Sequence, residues 1–95
     1  MKLLWTDRSR KDLLAIRRYI ARDNPETAKT WVEKLRANAR RAAKAPTAGR
    51  IVPELGQAHI REVLQGNYRI VYRITRNAIE VVTVFEGHKL FSNLN

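Results

Sequence analysis

The hydrophobic period of this chain changes once, at Pro46-Thr47-Ala48-Gly49, and that change constrains the fold more than any other feature. Before it, apolar residues recur at helical spacing; after it, they alternate. Leu13, Ile16 and Ile20, with Arg17 beside them, make one helical stripe that runs to about Arg22. Thr6 or Asp7 can cap its start. Asp23-Asn24-Pro25 ends that helix and begins another, with Asn24 as N-cap, Pro25 in the first turn and Glu26 at the positive end of the dipole. Ala28, Trp31 or Val32, Leu35, Ala39 and Ala42 carry the second helix to just before Pro46. So short a turn folds the helices back as an antiparallel hairpin. The small residues Ala39, Ala42 and Ala43 let them approach closely.

The alternating half reads as strands at Ile60–Leu64, Tyr68–Ile74 and Ile79–Phe85, with a shorter one at Arg50–Val52. Gln65-Gly66-Asn67 and Thr75-Arg76-Asn77 are hairpin turns between them. Lys2–Trp5 is a further short strand ahead of the helices, with Leu3 and Trp5 on one side. The expected fold is α+β: an N-terminal strand, a helical hairpin, then a three- to four-stranded antiparallel curved sheet, all in one domain spanning 1–95. Glu86 to Asn95 is left as a tail. Along Tyr68–Ile74, residues two apart share a face. Tyr68, Ile70, Tyr72 and Ile74 therefore face the core, and Arg69, Val71 and Arg73 face the other way. The sheet face away from the helices, or its concave edge, is then expected to show guanidinium groups to an anionic partner.

Composition narrows the chemistry. Apolar residues make up 44% of the chain, too many for a disordered tail. There is no cysteine, which removes disulfides and thiolate metal sites. His59 and His88 have no third ligand nearby in sequence, so neither metal nor cofactor is expected. No apolar run reaches membrane-spanning length, and the N-terminus turns charged too early for a signal peptide. The chain reads as soluble and cytoplasmic. Its formal net charge is +10. Residues 7–44 hold 12 Lys and Arg against 5 Asp and Glu, so most of the excess lies on the helices. That sign favours polyanions or an acidic protein and does not choose between them.

Trp5, Asp12-Leu13, Tyr19-Ile20-Ala21, Asn24-Pro25, Trp31-Val32 and Leu35 resemble the N-terminal half of RelE/ParE-type toxins. Gly49-Arg50, Pro53-Glu54-Leu55, Ile60-Arg61-Glu62-Val63 and Tyr68-Arg69-Ile70-Val71-Tyr72-Arg73 resemble the C-terminal half. The resemblance covers essentially the whole chain in the right order. It implies the toxin half of a type II toxin–antitoxin module of bacteria and archaea, often carried on plasmids. Such a toxin is neutralised by an acidic cognate antitoxin, ParD- or RelB-like, which itself binds operator DNA. On this chain the basic hairpin is the expected landing surface for an amphipathic antitoxin helix, through Arg10, Arg17, Arg18, Lys29, Arg36 and Arg40.

The family divides by target. RelE-like members cut mRNA in the ribosomal A site, whereas ParE-like members poison DNA gyrase. RNA cleavage needs a base, cations for the phosphorane and an acid. Arg69 falls where RelE-like nucleases place a catalytic arginine, and Arg61 is a second candidate cation. Where RelE has lysines before the Tyr-Arg run, this chain has Ile60 or Glu62. Other family nucleases use a glutamate and a histidine, for which Glu54, Glu62, Glu86 and His88 are the candidates. His88 is read first as a loop residue, and Glu54 and Glu62 as partners that hold an arginine in place across strands. The catalytic set is incomplete, so the resemblance favours a ParE-like gyrase inhibitor over the nuclease. Its target contacts would include Arg50, Arg61, Arg69, Arg73 and Lys89, with the tail from Phe85 through Phe91. A third reading, a non-toxic basic nucleic-acid-binding module, lacks stacking motifs or a DNA-reading helix pattern.

Overall fold

The structure is a computed structural model and describes residues 1–87. The elements follow as β1 (Lys2–Trp5), α1 (Asp7–Ala21), α2 (Pro25–Lys44), a 3₁₀ turn (Pro46–Ala48), β2 (Arg50–Ile51), β3 (Ile60–Gln65), β4 (Tyr68–Ile74) and β5 (Ala78–Glu86). Both helix starts are set by the expected caps. Thr6 Oγ1 accepts from the Ser9 amide at 3.1 Å, and Asn24 Oδ1 accepts from the Thr27 amide at 3.1 Å, with Pro25 opening α2.

The strands form one five-stranded sheet in the order β1-β5-β4-β3-β2. β2 to β5 pair antiparallel, as the turns require. β1 adds to the far edge of β5 in parallel, so the sheet is mixed. Between Val71 and Tyr72 the pairing with β5 slips by one residue, leaving Val82 as the extra residue of a bulge. Ile79, Val81 and Val84 consequently face the helices, while Val82 and Phe85 face away.

The main core lies between sheet and hairpin. Leu13 and Ile16 of α1, and Leu35, Ala39, Ala42 and Ala43 of α2, pack on Ile70, Tyr72, Ile79, Val81 and Val84. Tyr72 is fully buried and its hydroxyl donates to the Pro46 carbonyl at 2.5 Å, tying the end of α2 to the sheet. Burial pushes that phenol's pKa up. Gly49 is required here because a Cβ would sit 2.2 Å from the Tyr72 hydroxyl oxygen. A second, smaller apolar cluster of Val52, Ile60, Val71 and Val82, with Leu55 and Phe85, covers part of the other sheet face.

Two further contacts fix the hairpin on the sheet. Trp31 packs edge-on against Tyr68 at 5.9 Å and over Gly66 in the β3–β4 turn, where Gly66 adopts a φ of 57°. Trp31 thus clamps the turn from the rim of the core and does not sit at its centre. Beyond β1, the edge of β5 is closed by α1. The Asp12 carboxylate accepts from the Thr83 hydroxyl at 2.6 Å and the Val84 amide at 3.0 Å.

Candidate functional site

The sheet face away from the helices is not the cationic surface that alternation suggests. In the pairing register, Arg69 lies opposite Leu64, Arg73 opposite Ile60 and Arg50 opposite Glu62, so these three arginines share that face. Arg61 lies opposite Tyr72 and is on the helix side instead. There it closes the end of the core: its Nε donates to the Ala58 carbonyl at 2.9 Å, and its Nη1 to Gly49 at 2.9 Å and Thr47 at 3.2 Å. The two arginines placed side by side by the nuclease reading therefore point to opposite faces.

Arg69 is only 5% exposed. Its Nη1 and Nη2 meet both oxygens of Glu54 at 2.7 and 2.8 Å. Its Nε and Nη2 also reach Glu62 Oε1 at 2.7 and 2.6 Å, and the guanidinium lies 5.1 Å from the centre of the Phe85 ring. Arg50 pairs with the other oxygen of Glu62, and Arg73 pairs with Glu80 at 3.2 Å. Three arginines on this face thus meet three glutamates, and the face is close to neutral. The pairing of Glu54 and Glu62 with an arginine is present, but as a buried cluster instead of an exposed surface pair. The Arg69 hydrogen bonds hold the Glu54 carboxyl at about 2, and the same bonds push the Arg69 pKa upward. A carboxylate that acidic is a poor general base at neutral pH.

The net excess of positive charge is on the hairpin, where Arg10, Lys29 and Arg40 also make exposed pairs with Asp7, Glu26 and Glu33 at 3.6, 4.0 and 3.9 Å. That excess surrounds a groove between α1 and α2. Its floor is Trp5, Leu13, Leu14 and Val32, and Arg10, Arg17 and Arg36 stand at its rim, enclosing about 320 Å³. An adjoining hollow of about 560 Å³ shares Arg17, Val32 and Arg36 and adds Lys29, Glu33 and Arg40. Helical spacing explains the convergence. Residues 10, 13, 14 and 17 share one face of α1, and 29, 32, 33, 36 and 40 share one face of α2. Five of the six cations expected to face a partner therefore line one surface. Arg18 is exposed on α1 but lines neither hollow. Leu14, left 46% exposed, and the Trp5 ring with Arg36 above it at 5.9 Å supply apolar area that sequence reading assigned to the core or passed over. The surface thus combines an apolar floor with cations able to make charge-assisted hydrogen bonds.

The remaining candidates are dispersed. His59 is exposed in the loop before β3, where its carbonyl accepts from the Ile74 amide at 2.8 Å. Glu86 ends β5 opposite Tyr68, whose pKa is raised by burial and by the Glu86 charge. His88, Lys89 and the tail through Phe91 lie outside the described residues. Among the described residues, no group of three His, Asp or Glu could hold a metal ion, and no helix is long and apolar enough to cross a membrane.

Sheet order, helical hairpin and basic groove define a small α+β protein with one cationic, partly apolar surface. A solved structure described as the chromosomal ParDE TA system from P. aeruginosa has the same fold. Its TM-score is 0.75 at 20% identity, over 90% of this chain and 95% of that one. A family model described as the ParE toxin of the type II toxin–antitoxin system, parDE, matches residues 3–91. The chain belongs to that ParE toxin family. No curated protein matches it.

Proposed function

We propose that this toxin is held inactive by an acidic cognate antitoxin whose amphipathic helix lies in the α1–α2 groove, and that the released toxin acts by binding a protein target. The carrying observation is the separation of charge. Arg10, Arg17, Lys29, Arg36 and Arg40 surround an apolar floor on one side, where Arg10, Lys29 and Arg40 make long, exposed pairs with Asp7, Glu26 and Glu33 at 3.6–4.0 Å. Arg69 on the sheet is instead buried against Glu54 and Glu62, and Arg50 and Arg73 pair with Glu62 and Glu80. Family membership makes DNA gyrase the favoured target. An mRNA endonuclease would need open cations beside a group able to move protons, and Arg69 between two carboxylates does not meet that need.

Expression of the toxin alone in bacteria tests the target. Gyrase poisoning predicts filamentous cells with induction of the DNA-damage response, relieved by co-expressing the acidic protein of the neighbouring reading frame. Rapid translation arrest with cuts at A-site codons would replace this reading by the nuclease one. Unimpaired growth would remove both.

A further inference from the structure

One residue of the basic surface runs against its charge. Among the residues lining the two groove hollows, Glu33 is the single acid. It also lines a neighbouring hollow of about 450 Å³ with Lys29, Thr30, Lys34, Ala37 and Arg40. Along α2, Lys29 precedes it by one helical turn, Arg36 follows by one turn and Arg40 by two. Arg17 of α1 lines the larger groove hollow with it. Cations therefore bracket one carboxylate in the middle of the surface.

The fold does not account for this acid. Its side chain is 71% exposed, and its pair with Arg40 spans 3.9 Å between two exposed groups. A pair of that kind adds little to stability. Arg36 is turned toward the groove floor, with its guanidinium 5.9 Å from the centre of the Trp5 ring. Covering the surface changes what Glu33 costs. Once water is excluded, a facing carboxylate is repelled, whereas a lysine, arginine or amide donor compensates the charge. Glu33 thus matters little to the free toxin and discriminates among the segments that cover it.

Resting on the groove as the antitoxin's seat, we infer that Glu33 is a specificity-determining residue of that surface. The antitoxin helix presents a cation or amide donor opposite Glu33, on a face otherwise acidic and apolar. Arg17, Arg36 and Arg40 take the partner's carboxylates, and Glu33 fixes the one position along the partner helix that is not acidic. A uniformly acidic segment meets a repulsive contact among the attractive ones. The excess of cations draws acidic chains in generally, and Glu33 selects the register and the sequence that fit.

Amphipathic helical peptides with leucines on one face and glutamates on the other test this. One is uniformly acidic, and in a series a single glutamate is replaced by lysine at successive positions. Each is titrated into the wild type, Glu33→Gln and Glu33→Lys by calorimetry, and the side-chain Nε–H resonances of Arg17 and Arg36 locate it by NMR. The wild type should bind the best lysine-bearing peptide at least about tenfold tighter than the uniformly acidic one. That gap should shrink below about threefold in Glu33→Gln and reverse in Glu33→Lys. If Arg17 and Arg36 respond but no lysine position is preferred, or the gap persists in Glu33→Gln, the role of Glu33 is overturned and the groove remains the seat. If neither arginine responds to any peptide, the groove is not the seat and both readings fall.

Discussion

Arg69→Ala should cost this domain a large part of its stability, through a mechanism that can be separated from any loss of target contact. The substitution leaves Glu62, whose side chain is fully buried, with only Arg50, which is 57% exposed. Breaking a buried pair by deleting one partner typically costs about 3–5 kcal/mol, because the survivor is an uncompensated charge. Loss of the cation–π contact with Phe85 adds roughly 0.5–1 kcal/mol. The partly exposed Glu54 pair adds below about 1 kcal/mol. The expected loss is thus about 3.5–7 kcal/mol against the ~5–15 kcal/mol typical of a whole domain. Urea unfolding followed by circular dichroism measures it, with an unchanged slope confirming that the native state has weakened. Replacing the cluster together, as Arg69→Met with Glu62→Leu and Glu54→Gln, should recover stability to within about 2 kcal/mol of wild type. A loss below about 1 kcal/mol on Arg69→Ala would refute the reasoning, since the guanidinium would then not be neutralising a buried acid. If the folded triple variant still arrests growth, Arg69 is not a target contact.

Three other consequences follow from particular contacts. Glu54 titrates at about 2 in the fold against 4.5 when unperturbed, so its stabilisation is complete above about pH 4.5 and is lost as pH falls toward 2. The full difference corresponds to about 3 kcal/mol, which solvent at this side chain reduces to about 1 kcal/mol or less; Glu54→Gln should flatten that acid limb in pH-dependent urea titrations. Gly66→Ala combines a left-handed backbone with a Cβ 2.5 Å from the Trp31 ring, and should lower stability by about 2–3 kcal/mol, read as a fall in Tm. Asp12→Ala leaves the Thr83 hydroxyl and Val84 amide without their acceptor and should cost about 2–3 kcal/mol, with faster hydrogen exchange at Val84.

The sequence carried the local decisions well, because each depends on neighbours in the chain. Thr6, Asn24 and Pro25 announce the helix starts, and period-2 patterning with Gly66 sets the β3–β4 hairpin. Parallel pairing of β1 with β5 was not legible, since it joins residues more than seventy positions apart with no turn between them. The bulge at Val82 was hidden for a related reason: only the partner strand reveals which residue is extra. The faces of β4 were read correctly from alternation, but Arg61 was placed by analogy with Arg69. Its true face follows from its pairing with Tyr72, which the hairpin register sets. Pairing of Glu54 and Glu62 with an arginine was legible, but that it closes the arginine face was not, since Glu54 reaches Arg69 from a loop whose path the sequence does not fix. The groove was half visible: its cations stood out, whereas its floor of Trp5, Leu14 and Val32 needs both helices and β1 in place.

The central claim, that the hairpin groove is the antitoxin's seat, is tested most directly by the affinity of the toxin for its acidic partner after charge reversal at the groove. Arg17→Glu with Arg40→Glu changes two exposed side chains lining the larger hollow and leaves the core untouched. Isothermal titration at two salt concentrations should show binding weakened at least about thirtyfold, or about 2 kcal/mol, with a shallower salt dependence. Arg73→Ser, on the neutral sheet face, should bind as the wild type does. Unchanged affinity in the folded groove variant, or an equal loss in Arg73→Ser, would contradict the account.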